Sequence, residues 1–408
     1  MNKQNWLPTL ALAIIGLGTL FLLLGAAAAG LGSLFDLFSD QGTAASEMIS
    51  AAVFGFLVLI LGICFWFVLQ KSRGLESADA QVTFPFALWQ VGLVIVTTGI
   101  GVGVGGLVTL AEMEWLNWLF LPLLTLLVIV PPIVVFYGLG SRGLTAGPRW
   151  KFFAIFGLSL TAGPFLMIVT EMVLLLVIVI VGLTYLATTQ PDLIQEITQF
   201  ASMVRQTTDE DTLLGLLAPY LSSPVLIGLG LTYIALLVPL IEELFKPLAV
   251  WLFARQIDSP AQGFVLGMLS GAAFGLFESL SASAEGNTGW AVVVAARSGT
   301  SLLHMTTSAL VGWGIASAFK EKKIGRLAAA YFTAVLIHGV WNVLAAGAGL
   351  ASIGEYLGRP EWLFNYTPAL ICGLFIIGMM VLAILIRSNR KMRAAMVPPR
   401  EEQVQLPS

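Results

Sequence analysis

An all-α polytopic membrane bundle of about ten spans is the fold class this sequence predicts, on three observations. Hydrophobic residues make up 58% of the 408-residue chain and charged residues only 11%, where a soluble domain carries roughly a quarter charged residues. Ten apolar stretches reach the length of about 20 residues that crosses a hydrocarbon core. The charges between those stretches alternate from one side to the other, as a chain threading back and forth through a bilayer requires.

In chain order the stretches run over 6–34, 49–70, 85–110, 116–138, 152–187, 223–254, 261–283, 289–319, 327–349 and 367–386. One side collects Lys3, then Lys71 and Arg73, then Arg142, Arg149 and Lys151, then Arg255, then Lys320, Lys322, Lys323 and Arg326, and last the cluster from Arg387 to Arg393. The other side collects Asp36, Asp40, Glu47, Glu112, Glu114, Asp192, Asp209, Glu210, Asp211 and Glu285, with Arg205 and Arg359 as its basic residues. The positive-inside rule then predicts both termini in the cytosol of a multi-pass plasma-membrane protein. Lys3, the first apolar run and Ala26–Ala29 imitate a signal peptide, but the run is long for one and its basic flank is thin, so the first helix is expected to stay. A net charge of −3 without a basic block excludes a nucleic-acid partner. Cys64 and Cys372 both fall in apolar stretches, which excludes a disulfide framework. Oligomeric state is not legible.

The division expected is a five-span scaffold region over 1–222, a four-span core over 223–349, and a last span with a basic cytosolic tail over 350–408. In the scaffold, Gly101, Gly103 and Gly106 match GxGxxG in form only, because no strand precedes them. Close helix packing through Gly99, Gly103 and their neighbours is the expectation. Gly163-Pro164 predicts a bend in the long fifth stretch. Glu171, farther along it, reads as a protonated or hydrogen-bonded packing residue. The external loop 189–222 places Leu193, Ile194, Ile197, Phe200, Ala201 and Val204 at helical spacing, which fits a surface helix or a lid.

Chemistry-bearing residues are confined to the second half. Ionisable groups at membrane depth are costly and mark sites or pathways. Both histidines of the chain, His304 and His338, lie in apolar stretches, as do Glu242, Glu243, Lys246, Glu278 and Arg297. Adjacent glutamates point about 100° apart on a helix, so Glu242 and Glu243 have different jobs. Lys246 is four residues after one and three after the other, within pairing reach of either. One glutamate is expected to be neutralised by Lys246 and the other left free as a base. Pro239 and Pro247 remove backbone N–H groups around this pair, loosening the helix beside a cavity that admits water. His338 and Asn342, four apart, share a face, and imidazole plus amide can orient water or hold an oxyanion. His304 shares a face with Arg297 and Ser308, and Arg297 needs an acid, for which Glu278 or Glu285 is available. Counted from the nearest cytosolic charges or loop residues, Glu243 and His338 lie ~18 Å deep, His304 ~24 Å and Glu278 ~27 Å. These groups are therefore expected to converge on one cavity in the outer half of the bilayer, reached from the outer face.

Four motifs follow one another on four successive stretches: Glu242-Glu243-Leu-Phe-Lys246; Gly271-Ala-Ala-Phe274-Gly-Leu-Phe-Glu278; Arg297 with His304 and Gly312; and His338-Gly-Val-Trp-Asn342. In this order they resemble the PrsW family of intramembrane proteases and, more distantly, the CAAX-processing and bacteriocin-processing group. The resemblance covers about residues 235–348. The CAAX-type enzymes have EExxxR and FxxxH where this chain has Lys246-Pro247 and Phe274 with Glu278. The PrsW branch often has Asn after the second-motif glutamate and a Tyr shortly beyond, where this chain has Ser279 and no Tyr nearby.

What the resemblance implies is hydrolysis of peptide bonds in membrane-anchored proteins or peptides, at or within the lipid bilayer. By analogy, Glu242 activates water, Glu243 pairs with Lys246, His304 polarises the water, and His338 with Asn342 stabilises the tetrahedral intermediate. Lys246, Glu278 and Arg297 support these. Helix geometry alone allows the two glutamates to exchange roles. A metal version places a divalent ion such as zinc on His304, His338 and one glutamate, Glu278 or Glu243, with an open position. The metal-free version stands beside it. HExxH and GxSxG are absent, and every Asp falls in a loop or at a helix edge, which excludes three other protease types. A proton- or cation-coupled transporter is the rival reading. It predicts internal repeats, whereas the charged groups here have no counterpart in the first five stretches.

Overall fold

The computed structural model describes residues 6–39, 42–76, 81–207, 210–221, 223–286, 289–357 and 365–396. Lys3, Asp40, Asp209 and Arg359 of the charge pattern lie outside the described residues. Among the described residues, ten helical spans are long and apolar enough to cross a membrane. The first five are α1 (Trp6–Ser39), α2 (Ala44–Ser72), α3 (Trp89–Leu110), α4 (Glu114–Ser141) and α5 (Arg149–Thr189). Two strands, β1 (Gln81–Val82) and β2 (Gly147–Pro148), form a short antiparallel pair between loops. Two further helices, α6 (Pro191–Gln206) and α7 (Glu210–Leu221), occupy the stretch after α5, and none of the α6 residues is buried.

The sixth span, Pro224–Gln256, is broken three times. It starts as α8 (Pro224–Thr232), passes through a π-helical turn (Tyr233–Leu237), continues as α9 (Val238–Phe245) and α10 (Leu248–Phe253), and ends in a 3₁₀ turn (Ala254–Gln256). Each break near the glutamates has a proline behind it. Pro239 has no N–H for the carbonyl of Ala235, and the wider π turn lets Val238 N–H bond the carbonyl of Tyr233 instead. Pro247 ends α9 by leaving the Glu243 carbonyl without its helical N–H, and at the break the Lys246 carbonyl accepts from the hydroxyl of Ser270. Ser270 also hydrogen-bonds Ser159 at 2.7 Å, so the break is tied to two neighbouring helices.

The remaining spans are α11 (Pro260–Ala282), α12 (Trp290–Glu321), α13 (Ile324–Leu357) and α14 (Thr367–Ala394). The centre of the bundle is α11, with 89% of its most apolar window buried, followed by α12 with 78%. Glycines every four residues explain the contact between them. A Cβ on Gly263, Gly267 or Gly271 would fall on the backbone of Gly312, Ser308 or His304, and one on Gly275 would press on Ser301. Small residues at this spacing let two backbones touch in lipid, where no hydrophobic effect drives helices together.

The glycines of α3 pack differently from the sequence expectation. A Cβ on Gly99 or Gly103 would meet nothing within 4 Å, whereas Gly101 faces Val128 and Gly105 lies under the buried ring of Trp290. Two positions along a helix turn the contact by about 200°, so the packed stripe is the alternate one. The Trp290 indole N–H donates to Thr125 Oγ1 at 2.9 Å, which anchors the start of α12.

Candidate active site

The breaks in the sixth span set the glutamate pair and Lys246 against α12 and α13. Lys246 is the hub. Its ammonium lies 2.8 Å from Glu242 Oε2 and 2.9 Å from Glu243 Oε1. It also lies 2.8 Å from His304 Nδ1 and 3.3 Å from His338 Nδ1, over the ring of Phe274 at 4.7 Å from its centroid. The expected division, one glutamate paired and the other free, is therefore replaced by a shared cation. The reason is that three- and four-residue spacings both bring a side chain over the same turn.

The two glutamates nonetheless differ. Glu243 is fully buried, and its Oε1 accepts from Lys246 at 2.9 Å, from the Thr307 hydroxyl at 3.1 Å and from His338 Nδ1 at 2.9 Å. Glu242 Oε2 approaches Lys246 off the hydrogen-bonding axis and is buried without an aligned partner. Donation from His338 Nδ1 to Glu243 leaves His338 Nε2 as an acceptor, 3.7 Å from Glu242 Oε2. That gap suits a bridging water.

His304 turns Nδ1 to Lys246 and Nε2 to Glu278 Oε2 at 2.6 Å, again off-axis, and its ring stands edge-on to Phe274 and to His338. Of the two acids expected for Arg297, Glu278 takes it, at 2.8 Å. Exposure rises across the group. Lys246 and Glu243 are sealed, Glu242 is 9% exposed, and the Glu278 side chain is 30% exposed, so the site opens on the side of Glu278 and Arg297. Asn342, one turn past His338, donates its amide to the carbonyl of Ile234 at 3.0 Å and so braces the π turn.

Glu242, His304 and His338 each offer one ligand atom, all within 4.8 Å of one another. The chemistry of this set fits a divalent ion: two imidazoles and a carboxylate, buried, with Glu242 Oε2 and His304 Nε2 both lacking aligned hydrogen bonds. The sequence expectation named Glu278 or Glu243 as the third ligand. In the fold Glu243 is engaged by three donors and Glu278 faces Arg297, so Glu242 is the carboxylate grouped with the two histidines.

Three contributors were not singled out from sequence. Thr307 lies three residues after His304 on the same face, a spacing that carries the signal. Phe274 appeared only as part of a motif, and Ser270 had no signal beyond being a polar residue in an apolar stretch. The fifth span, read as scaffold, packs against α9 and α11 and brings Glu171 within electrostatic reach of Glu242, Lys246 and Glu278.

A family model described as "PrsW family intramembrane metalloprotease" matches residues 147–385, more than half of the chain. The match is wider than the 235–348 stretch that carries the motifs and takes in α5 and most of α14. No curated protein and no solved structure matches.

Proposed function

The chain belongs to the PrsW family of intramembrane metalloproteases, a membrane-embedded peptidase, and from that premise we propose that Glu242 is the base that activates water against a peptide bond of a membrane-anchored protein or peptide. The single observation that carries this is the gathering of Glu242, His304 and His338 within 4.8 Å inside a bundle of membrane spans. Glu243 has the positioning role, since its Oε1 holds Lys246, Thr307 and His338 together and its side chain is sealed from solvent, whereas that of Glu242 is 9% exposed.

Water bridging Glu242 Oε2 and His338 Nε2 gives one proton to Glu242 as its oxygen adds to the carbonyl carbon. The carbonyl oxygen gains negative charge, and His304 with the Lys246 ammonium behind it is the donor group placed to stabilise that charge. When the C–N bond breaks, the proton held by Glu242 passes to the leaving amine nitrogen. Glu278 and Arg297, paired at the open side, orient His304. A divalent ion such as zinc would be held by Glu242, His304 and His338 and would supply Lewis-acid polarisation of the carbonyl and the water, with Glu242 then its ligand in place of the base. Without it, Lys246 supplies the positive charge to the same donors.

The chain is a multi-pass membrane protein, and we place it in the plasma membrane with both termini in the cytosol, on the alternation of basic and acidic loops. The test is comparison of new protein N-termini in membranes carrying the wild type or Glu242→Gln, followed by cleavage of the identified substrate with Glu243→Gln, His304→Ala and His338→Ala. Loss of the new termini in Glu242→Gln is expected. Full cleavage by all four variants refutes the assignment.

A further inference from the structure

Gly163, Met167 and Glu171 recur at four-residue spacing along α5 and share one face. That face looks inward: a Cβ on Gly163 would lie 3.8 Å from the backbone oxygen of Phe245, and Met167 is buried. The fifth and sixth spans run in opposite directions, so positions can be levelled from the Gly163–Phe245 contact. Glu171 lies ~12 Å beyond it, Glu242 ~5 Å and Tyr233 ~18 Å, at 1.5 Å per residue. Glu171 thus stands past Glu242 and short of Tyr233, in electrostatic reach of Glu242, Lys246, Glu278 and Tyr233. Its side chain is half-buried, and its Oε1 is buried with no hydrogen-bond partner among the described residues.

The packing role expected from sequence leaves that oxygen unexplained, because a buried acceptor without a donor is unfavourable by about 1–3 kcal/mol. A polypeptide cleaved inside a membrane presents the complementary deficit. Its scissile stretch must leave the helix, and its N–H groups then find no water to bond. We propose that Glu171 is a substrate-binding residue of this site, accepting hydrogen bonds from backbone N–H groups of the unwound polypeptide beside the scissile bond. The proposal rests on the peptidase reading above. Glu242, Glu243 and Glu278 are each ion-paired to Lys246, Arg297 or a histidine, whereas Glu171 has neither an ion pair nor a side-chain hydrogen bond among the described residues.

The experiment uses the full chain in lipid nanodiscs and the substrate identified by N-terminal mapping. Glu171→Ala raises KM about tenfold, the loss of one or two hydrogen bonds, with kcat held within about threefold. Glu171→Gln, which keeps an acceptor oxygen, restores KM to within about threefold of wild type. An unchanged KM, a fall in kcat at constant KM, or a Gln variant no better than Ala overturns the proposal. Glu242→Gln in the same assay reports separately on the proposed function, whose choice of Glu242 as the base falls if that variant cleaves. A second measurement needs no turnover. In Glu242→Gln with Cys64→Ala and Cys372→Ser, Glu171→Cys is modified by a charged methanethiosulfonate, and saturating substrate peptide slows the reaction at least about fivefold, the protection expected of a contact residue. Equal rates with and without peptide overturn the proposal by themselves.

Discussion

Replacing Glu243 by Gln should destabilise this chain, whereas replacing Glu242 by Gln should silence it and leave it stable. The difference follows from what each carboxylate touches. Glu243 Oε1 receives three donors, at 2.9, 3.1 and 2.9 Å, in a setting with no solvent. Hydrogen bonds to a charged group are worth about 1.5–3 kcal/mol and those to a neutral one about 0.5–1.5, so loss of the charge removes on the order of 1 kcal/mol from each. Glu243→Gln is therefore expected to lower stability by about 3 kcal/mol, with Lys246 left to Glu242 alone. Glu242 Oε2 has no aligned hydrogen bond to lose beyond its 2.8 Å ion pair with Lys246, so Glu242→Gln should lower stability by only about 1 kcal/mol. Removing a general base instead lowers kcat by about 10²–10⁴-fold. The assay pairs denaturant-induced unfolding in detergent micelles with cleavage of the identified substrate. If Glu242→Gln unfolds earlier than Glu243→Gln, or keeps more activity, the assignment of base and positioning residue is reversed.

Other outcomes follow from the same contacts. Gly271→Ala places a methyl group on the His304 carbonyl and should separate α11 from α12, destabilising by about 1–3 kcal/mol and lowering kcat through displacement of His304; an active, equally stable variant would show that the contact gives way. Ser270→Ala strips the Lys246 carbonyl of its donor at the Pro247 break and should lower stability by about 1–3 kcal/mol, read from the same unfolding curves. Elemental analysis of the purified protein should find about one divalent ion per chain, lost in His304→Ala and His338→Ala; wild type free of metal and indifferent to chelators would leave Lys246 as the working cation.

The parts of the site that were readable shared one physical basis. Glu242, Glu243 and Lys246 are neighbours on a single helical turn, and turn geometry is fixed at 3.6 residues whatever surrounds it. The pairing of Arg297 with an acid was forced by the absence of water, and the prolines at 239 and 247 announced the breaks through their missing N–H groups. Mistakes arose where rotation mattered. Choosing Gly99 and Gly103 rather than Gly101 and Gly105 is an error of two residues that turns a helix almost to its far side. Asn342 shared the face of His338 as expected, yet its amide bonds Ile234, a carbonyl contributed by the sixth span and invisible from its own helix.

By itself the sequence determined the ten spans, their order and the spacing of the charged groups along the spans of the second half, because membrane depth penalises every charge and periodicity is local. Only the tertiary structure decided that one lysine serves both glutamates and both histidines, that Glu242 lies grouped with the two histidines, and that Glu171 reaches the same region from the fifth span. Those facts depend on how far one helix slides and turns against the next. The slide is set by backbone contacts such as Gly267 on Ser308 and Gly163 on Phe245, in which both partners must be known before the register is fixed.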